Sequence, residues 1–119
     1  MSNAVAHEFV QKSLVGEALE NGPFAVFVAD DDGRYLAVNA YACDLLGYTR
    51  DELLDLRVSD VAVDSDAAAD YGEMKRKGSH NGLTVLRHKD GTDLQVHFRA
   101  SSTTVGGMPL YVGSCWPAE

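Results

Sequence analysis

Basic residues are scarce in this chain: ten Lys and Arg stand against eighteen Asp and Glu, for a formal net charge of −8 at pH 7. Nucleic-acid binding draws most of its affinity from Lys and Arg neutralising phosphates, so direct contact with nucleic acid is not expected. The one cationic cluster, Lys75-Arg76-Lys77, closes an expected helix and is accounted for by the negative end of that helix. Cysteine is equally sparse. Cys43 and Cys115 form no C-x-x-C pair and lie far apart, which removes the basis for a disulfide framework or a zinc site and fits a reducing compartment. No apolar run approaches the roughly 18 to 20 residues that a transmembrane helix requires. Residues 1–8 also lack the basic start and long apolar centre of a secretion signal. The expectation is a cytoplasmic protein without membrane contact.

What is present is an ordinary globular mixture. A chain of 119 residues, 45% hydrophobic and 24% charged, is long enough for one core and too short for two comfortable ones. Residues 4–20 place Val5, Phe9, Val10 and Leu14 at helical spacings, and Asn21-Gly22-Pro23 stops the helix. Such a leading helix can fold back on its own sheet or pair with a second copy. Both options stand at this level.

Phe24-Ala25-Val26-Phe27-Val28-Ala29 reads as a buried strand, Asp31-Asp32-Gly33 as a turn and residues 35–38 as the returning strand. Asn39 is placed to cap a short helix that Gly47 ends, and Thr49-Arg50-Asp51-Glu52 is a capping box opening another. Residues 64–77 read as a further helix, acidic at its start, basic at its end and weakened by Gly72. The last third alternates with period two. Leu83 and Val85, then Leu94, Val96, Phe98 and Ala100, are expected on the buried face, with hairpin turns at Asp90-Gly91 and Gly106-Gly107. The closing strand is Leu110-Tyr111-Val112-Gly113-Ser114-Cys115-Trp116. The plan is α+β: a five-stranded antiparallel sheet, two strands and then three, with short helices between the groups.

Four fragments, in order, carry a family resemblance: residues 31–39 (Asp-Asp-Gly-Arg-Tyr-Leu-Ala-Val-Asn), 45–53 (Leu-Leu-Gly-Tyr-Thr-Arg-Asp-Glu-Leu), Arg87-His88-Lys89-Asp90-Gly91 and Tyr111-Val112-Gly113. Together the chain resembles a PAS domain from about Gly22 to Trp116, with residues 1–21 as a flanking helix and 22–119 as the domain. The resemblance implies helices covering one face of the sheet around a cavity. It implies a sensory or regulatory module that homodimerises and works with an output domain or partner of the kinase, cyclase or transcription-regulator type. Gly33, Asn39, Gly47, Thr49, Glu52, Asp90 and Gly91 are its structural positions, and Val5, Phe9, Val10 and Leu14 the dimer helix. The C-terminus departs from the family: Trp116-Pro117-Ala118-Glu119 replaces the usual Asp-Ile-Thr-Glu type of exit.

Cofactor chemistry finds little footing. No reactive Cys sits in an Asn-Cys-Arg-Phe-Leu-Gln-like helix, so covalent flavin photochemistry is disfavoured, and Cys43 reads as a small buried hydrophobe. Residues 66–74 contain no His to serve as a haem axial ligand. His7, His80, His88 and His97 read as satisfied or exposed, with no metal-ligand spacing. No nucleophile elbow, phosphate loop or paired-carboxylate motif points to an enzyme. What remains is an apolar pocket for a small apolar or amphipathic ligand, or the same residues as filled core. Its expected walls are Val26 and Val28, Leu36 and Val38, and Leu46 on the first short helix. Tyr71 and Met74 on the longer helix, then Leu83, Val96, Phe98 and Val112, complete it.

Overall fold

A computed structural model describes residues 3–63 and 78–118. Helix α1 (Asn3–Glu20) leads into β1 (Ala25–Ala29) and β2 (Tyr35–Val38); three short helices follow, α2 (Ala40–Leu46), α3 (Arg50–Leu54) and α4 (Val58–Val61). Three longer strands close the chain: β3 (Ser79–Arg87), β4 (Asp93–Val105) and β5 (Met108–Pro117). The five strands form one antiparallel sheet in the order β2-β1-β5-β4-β3. The helix expected over residues 64–77, the cationic cluster at its end and the haem-ligand segment lie outside the described residues. Among the described residues no helix is long and apolar enough to cross a membrane.

Local chemistry fixes the helical arm. Asn39 takes extended backbone and its Oδ1 accepts from the Ala42 amide at 3.1 Å, which starts α2; Gly47, at φ +78°, ends it. Only glycine holds that left-handed geometry without strain. Thr49 and Glu52 exchange side-chain and backbone hydrogen bonds to open α3. Helix α4 has no counterpart in the sequence reading. Four residues carry no periodicity, and its first turn depends on the Asp60 carboxylate accepting from the Arg57 amide at 2.9 Å.

The arm is tied at both edges of the sheet. On the β2 side, the Tyr35 amide donates to Leu56 O (3.2 Å) and the Val58 amide to Gly33 O (2.8 Å). On the β3 side, the Val63 amide donates to Val85 O at 3.0 Å. Ala42, Leu46, Leu53 and Val61 drop from the arm onto Ala25, Phe27 and Val96, all of them buried.

Strand faces differ from the alternation read in sequence. In β1 the inward residues are Ala25, Phe27 and Ala29, so Val26 and Val28 face the other way. In β3 the inward row contains Thr84 and Leu86, opposite Val96 and Leu94, while Leu83 is 52% exposed. Both strands are apolar on both parities. In β3 the register is set by the β3–β4 hairpin, where the His88 amide donates to Thr92 O at 2.8 Å, and not by alternation. Pro117 ends β5 without ending the pairing: it lies opposite Val96, and the Ala118 amide donates to Gln95 O at 2.9 Å.

Helix α1 packs differently from a core-facing stripe. Phe9, Val10, Leu14 and Val15 are all more than half exposed. At about 100° per residue these four positions spread around the helix, so no single face collects them. Among the described residues, the hydrogen bonds and ion pair that tie α1 to the helical arm come from its last turn, at Leu19 and Glu20.

Candidate functional site

The arm and the inner face of the sheet border a partly open chamber of about 160 Å³. Phe27 and Ala29 from β1, Tyr35 from β2 and Val58 and Ala62 from α4 form one side. Thr84 and Leu86, Val96 and Phe98, and Tyr111 and Cys115 form the other. The walls are mostly apolar and rich in aromatic rings. Phe27 and Tyr35 lie 5.3 Å apart between centroids, and the His80 ring lies 5.5 Å from Phe98.

Of the residues expected to line a pocket, Val96, Phe98 and Val112 border this chamber. Val38 and Leu46 are buried in the core without bordering it. Val26, Val28, Leu36 and Leu83 do not border it, because their strands present the opposite parity inward; Leu36 is 41% exposed. Tyr71 and Met74 lie outside the described residues. Phe27, Tyr35, Thr84, Leu86, Tyr111 and Cys115 were missed. For Tyr111 and Cys115 the signal is the 111/113/115 alternation, which pairs Cys115 with Phe98 and Gly113 with Ala100 on one face.

Burial pushes the Cys115 thiol up to about 12, which keeps it protonated and inert. The Tyr111 hydroxyl donates to Asp31 Oδ1 at 2.7 Å, and that bond raises its pKa while pinning the β1–β2 turn to β5. Cys43, on α2, is also raised, chiefly by burial. Among the described residues no group of three or more His, Cys, Asp or Glu is gathered that could hold a metal ion.

Behind the chamber, the arm is bonded to the end of α1. Asn39 Nδ2 donates to Leu19 O (2.6 Å) and Phe24 O (2.9 Å), while Oδ1 also accepts from the Val26 amide (2.9 Å). Glu20 Oε1 accepts from the Ala40 amide at 2.8 Å, and the same carboxylate pairs with Arg50 on α3. The far end of the arm is tied to the β3–β4 hairpin. Lys89 Nζ lies 2.6 Å from Glu52 Oε2, holding that carboxyl below its ordinary pKa, and the Lys89 amide donates to Leu46 O at 2.8 Å.

The family model described as a PAS domain matches residues 23–114. The chain belongs to the PAS domain family. Solved structures agree on the fold. A PAS domain from a two-component sensor histidine kinase superposes with a TM-score of 0.82 at 20% identity, covering 93% of this chain and 99% of that one. The PAS domain of an HTR-like protein from Haloarcula marismortui gives 0.78 at 20% identity, over 98% of this chain and 100% of that one. A domain of a sensory box sensor histidine kinase/response regulator from Geobacter sulfurreducens gives 0.78 at 27% identity, over 90% and 94%. No curated protein sequence matches the chain. PAS domains are typical sensory modules of signalling proteins such as histidine kinases.

Proposed function

We propose that this PAS domain takes a small apolar or amphipathic molecule into the chamber under the helical arm, and that occupancy shifts the arm and, with it, α1. The observation that carries the reading is the chamber itself, a space of about 160 Å³ with largely apolar walls beneath an arm bonded to the last turn of α1. An apolar cavity of about 150 Å³ stays dry and accepts a benzene-sized guest, so the volume matches one ring, not the three fused rings of a flavin. Expelling poorly bonded water from such walls drives binding, and a guest that prefers one position of the arm shifts the population toward it. The reading has residues 1–21 as a flanking segment, 22–119 as the sensory domain and a cytoplasmic, non-catalytic role feeding an output domain or partner protein. Toluene, indole and hexanol should each raise the melting temperature of the wild type, and Ala62→Leu, which fills the chamber, should abolish the rise. No shift with any of the three would sink the proposal.

The exposed α1 supports a second reading, dimerisation through that helix. Phe9, Val10, Leu14 and Val15 surround it without a partner among the described residues. Helices apolar on several sides are stable when packed on several sides, as in a bundle of paired helices. Phe9→Glu with Leu14→Glu should convert a dimer to a monomer by light scattering without changing the melting of the core. Truncation at residue 20 is a poorer test, since it also removes the Glu20 and Leu19 bonds to the arm. A wild type that is already monomeric at high concentration would refute this reading.

A further inference from the structure

Glu20 ends α1 where the aligned peptide dipoles already leave partial negative charge, so nothing in its own helix favours a carboxylate there. What favours it faces it from the arm. Oε1 accepts from the Ala40 amide, the first of α2 and one that no carbonyl of that helix can serve, at 2.8 Å. Oε2 accepts from Arg50 Nη2 on α3 at 2.7 Å. One carboxylate therefore spans two helices of the arm, and it holds both only while they keep this spacing. The neighbouring anchor is of another kind. Asn39 grips the main-chain carbonyls of Leu19 and Phe24, which fixes a point at the end of α1 but not the direction in which the helix leaves. The Glu20 side chain supplies the second point, and with it the direction. Helix α3 is joined in turn to the chamber: three residues, 55–57, separate it from α4, whose Val58 and Ala62 border that space.

We propose that Glu20 gauges the spacing of α2 and α3: it holds α1 in one direction while the chamber is empty, and a guest that moves α4 and α3 away from α2 breaks the double grip and lets α1 swing about Leu19. This rests on the sensory reading above and names the contact through which occupancy reaches α1. The Glu20–Arg50 pair is partly exposed and screened by salt, so the grip is weak enough for a bound guest to break. Coupling of this kind is reciprocal. If a guest releases α1, releasing α1 by mutation strengthens binding of the guest by the same factor.

The test uses the whole chain with nitroxide labels at Lys12→Cys on α1 and Gln95→Cys on β4, both exposed positions, in a Cys43→Ala background; Cys115 is buried and stays unlabelled. Dilution with unlabelled protein restricts the reading to distances within one chain, and toluene is the guest. Double electron–electron resonance should give one narrow distance without toluene and a broad distribution with it. Arg50→Ala should be broad with or without toluene, and calorimetry should show it binding toluene more tightly, by up to roughly fivefold, the low end of ordinary coupling between sites. Tighter binding also certifies that the variant folds with its chamber intact. Glu20→Gln, which breaks the pair from the other side, should act in the same direction. If toluene binds the wild type without changing the α1 distance, or if both variants match the wild type in distance and affinity, the role of Glu20 is overturned and the chamber stands. No binding of toluene to the wild type would overturn both this proposal and the sensory reading.

Discussion

Asn39→Ala should lower the unfolding free energy by about 3 kcal/mol, well beyond the roughly 0.5 to 2 kcal/mol lost with an ordinary helix cap. The excess comes from the second, third and fourth bonds of one side chain. Its oxygen serves the amides of both Ala42 and Val26, and its nitrogen serves the carbonyls of both Leu19 and Phe24. At 5% exposure, water does not replace them easily, so truncation strands several buried backbone groups at once. Urea unfolding monitored by circular dichroism measures the loss, and the melting temperature should fall by on the order of 15 °C. Asn39→Asp separates this hub from a plain cap. Aspartate caps helices as well as asparagine does, yet here it would lose both donors and set a charge against the Leu19 and Phe24 carbonyls. A wild-type melt for Asn39→Asp, or a loss under about 1 kcal/mol for Asn39→Ala, would show that the four bonds do not act as a unit.

That side chain also illustrates which parts of the molecule were legible in the sequence. Residues whose chemistry dictates backbone geometry announced themselves: Asn39 and Thr49 ahead of helices, Gly47 after one, Asp90-Gly91 in a hairpin. The partners of Asn39 did not, because Leu19 and Phe24 are 20 and 15 residues away and are reached through backbone carbonyls that any residue would supply. The chamber was legible only in part for a similar reason. In β1, Ala-Val-Phe-Val-Ala offers no polar residue to mark the outer face, and β3 carries Leu83, Val85 and Leu86 on both faces. Where alternation was clean, as in β4, Val96 and Phe98 were read inward and border the chamber. The Tyr111–Asp31 bond spans 80 residues and leaves no local trace. Thr84 was read as an outward polar residue, and only the pairing with Val96 brings it inside.

Gly47→Ala should destabilise the domain by about 2 to 3 kcal/mol, from two sources that a double-mutant cycle separates. The first is backbone: at φ +78° a side chain costs about 1 kcal/mol. The second is the imidazole of His88, which packs so closely over this glycine that an added Cβ would lie 2.3 Å from Cε1 and 2.6 Å from Nε2. The ring must swing away, breaking the bond that its Nδ1 accepts from the Asp90 amide at 3.1 Å and loosening the hairpin from the arm. His88→Ala removes the obstruction in advance. Gly47→Ala in that background should therefore cost only the backbone portion, about 1 kcal/mol, leaving a coupling of about 1 to 2 kcal/mol between the two sites. The Lys89 amide bond to Leu46 O and the Lys89–Glu52 pair persist in all four proteins, so the cycle isolates the ring against the glycine. Additivity within about 0.5 kcal/mol, measured by denaturant unfolding, would mean that His88 moves aside freely and that the hairpin is held to the arm by Lys89 alone.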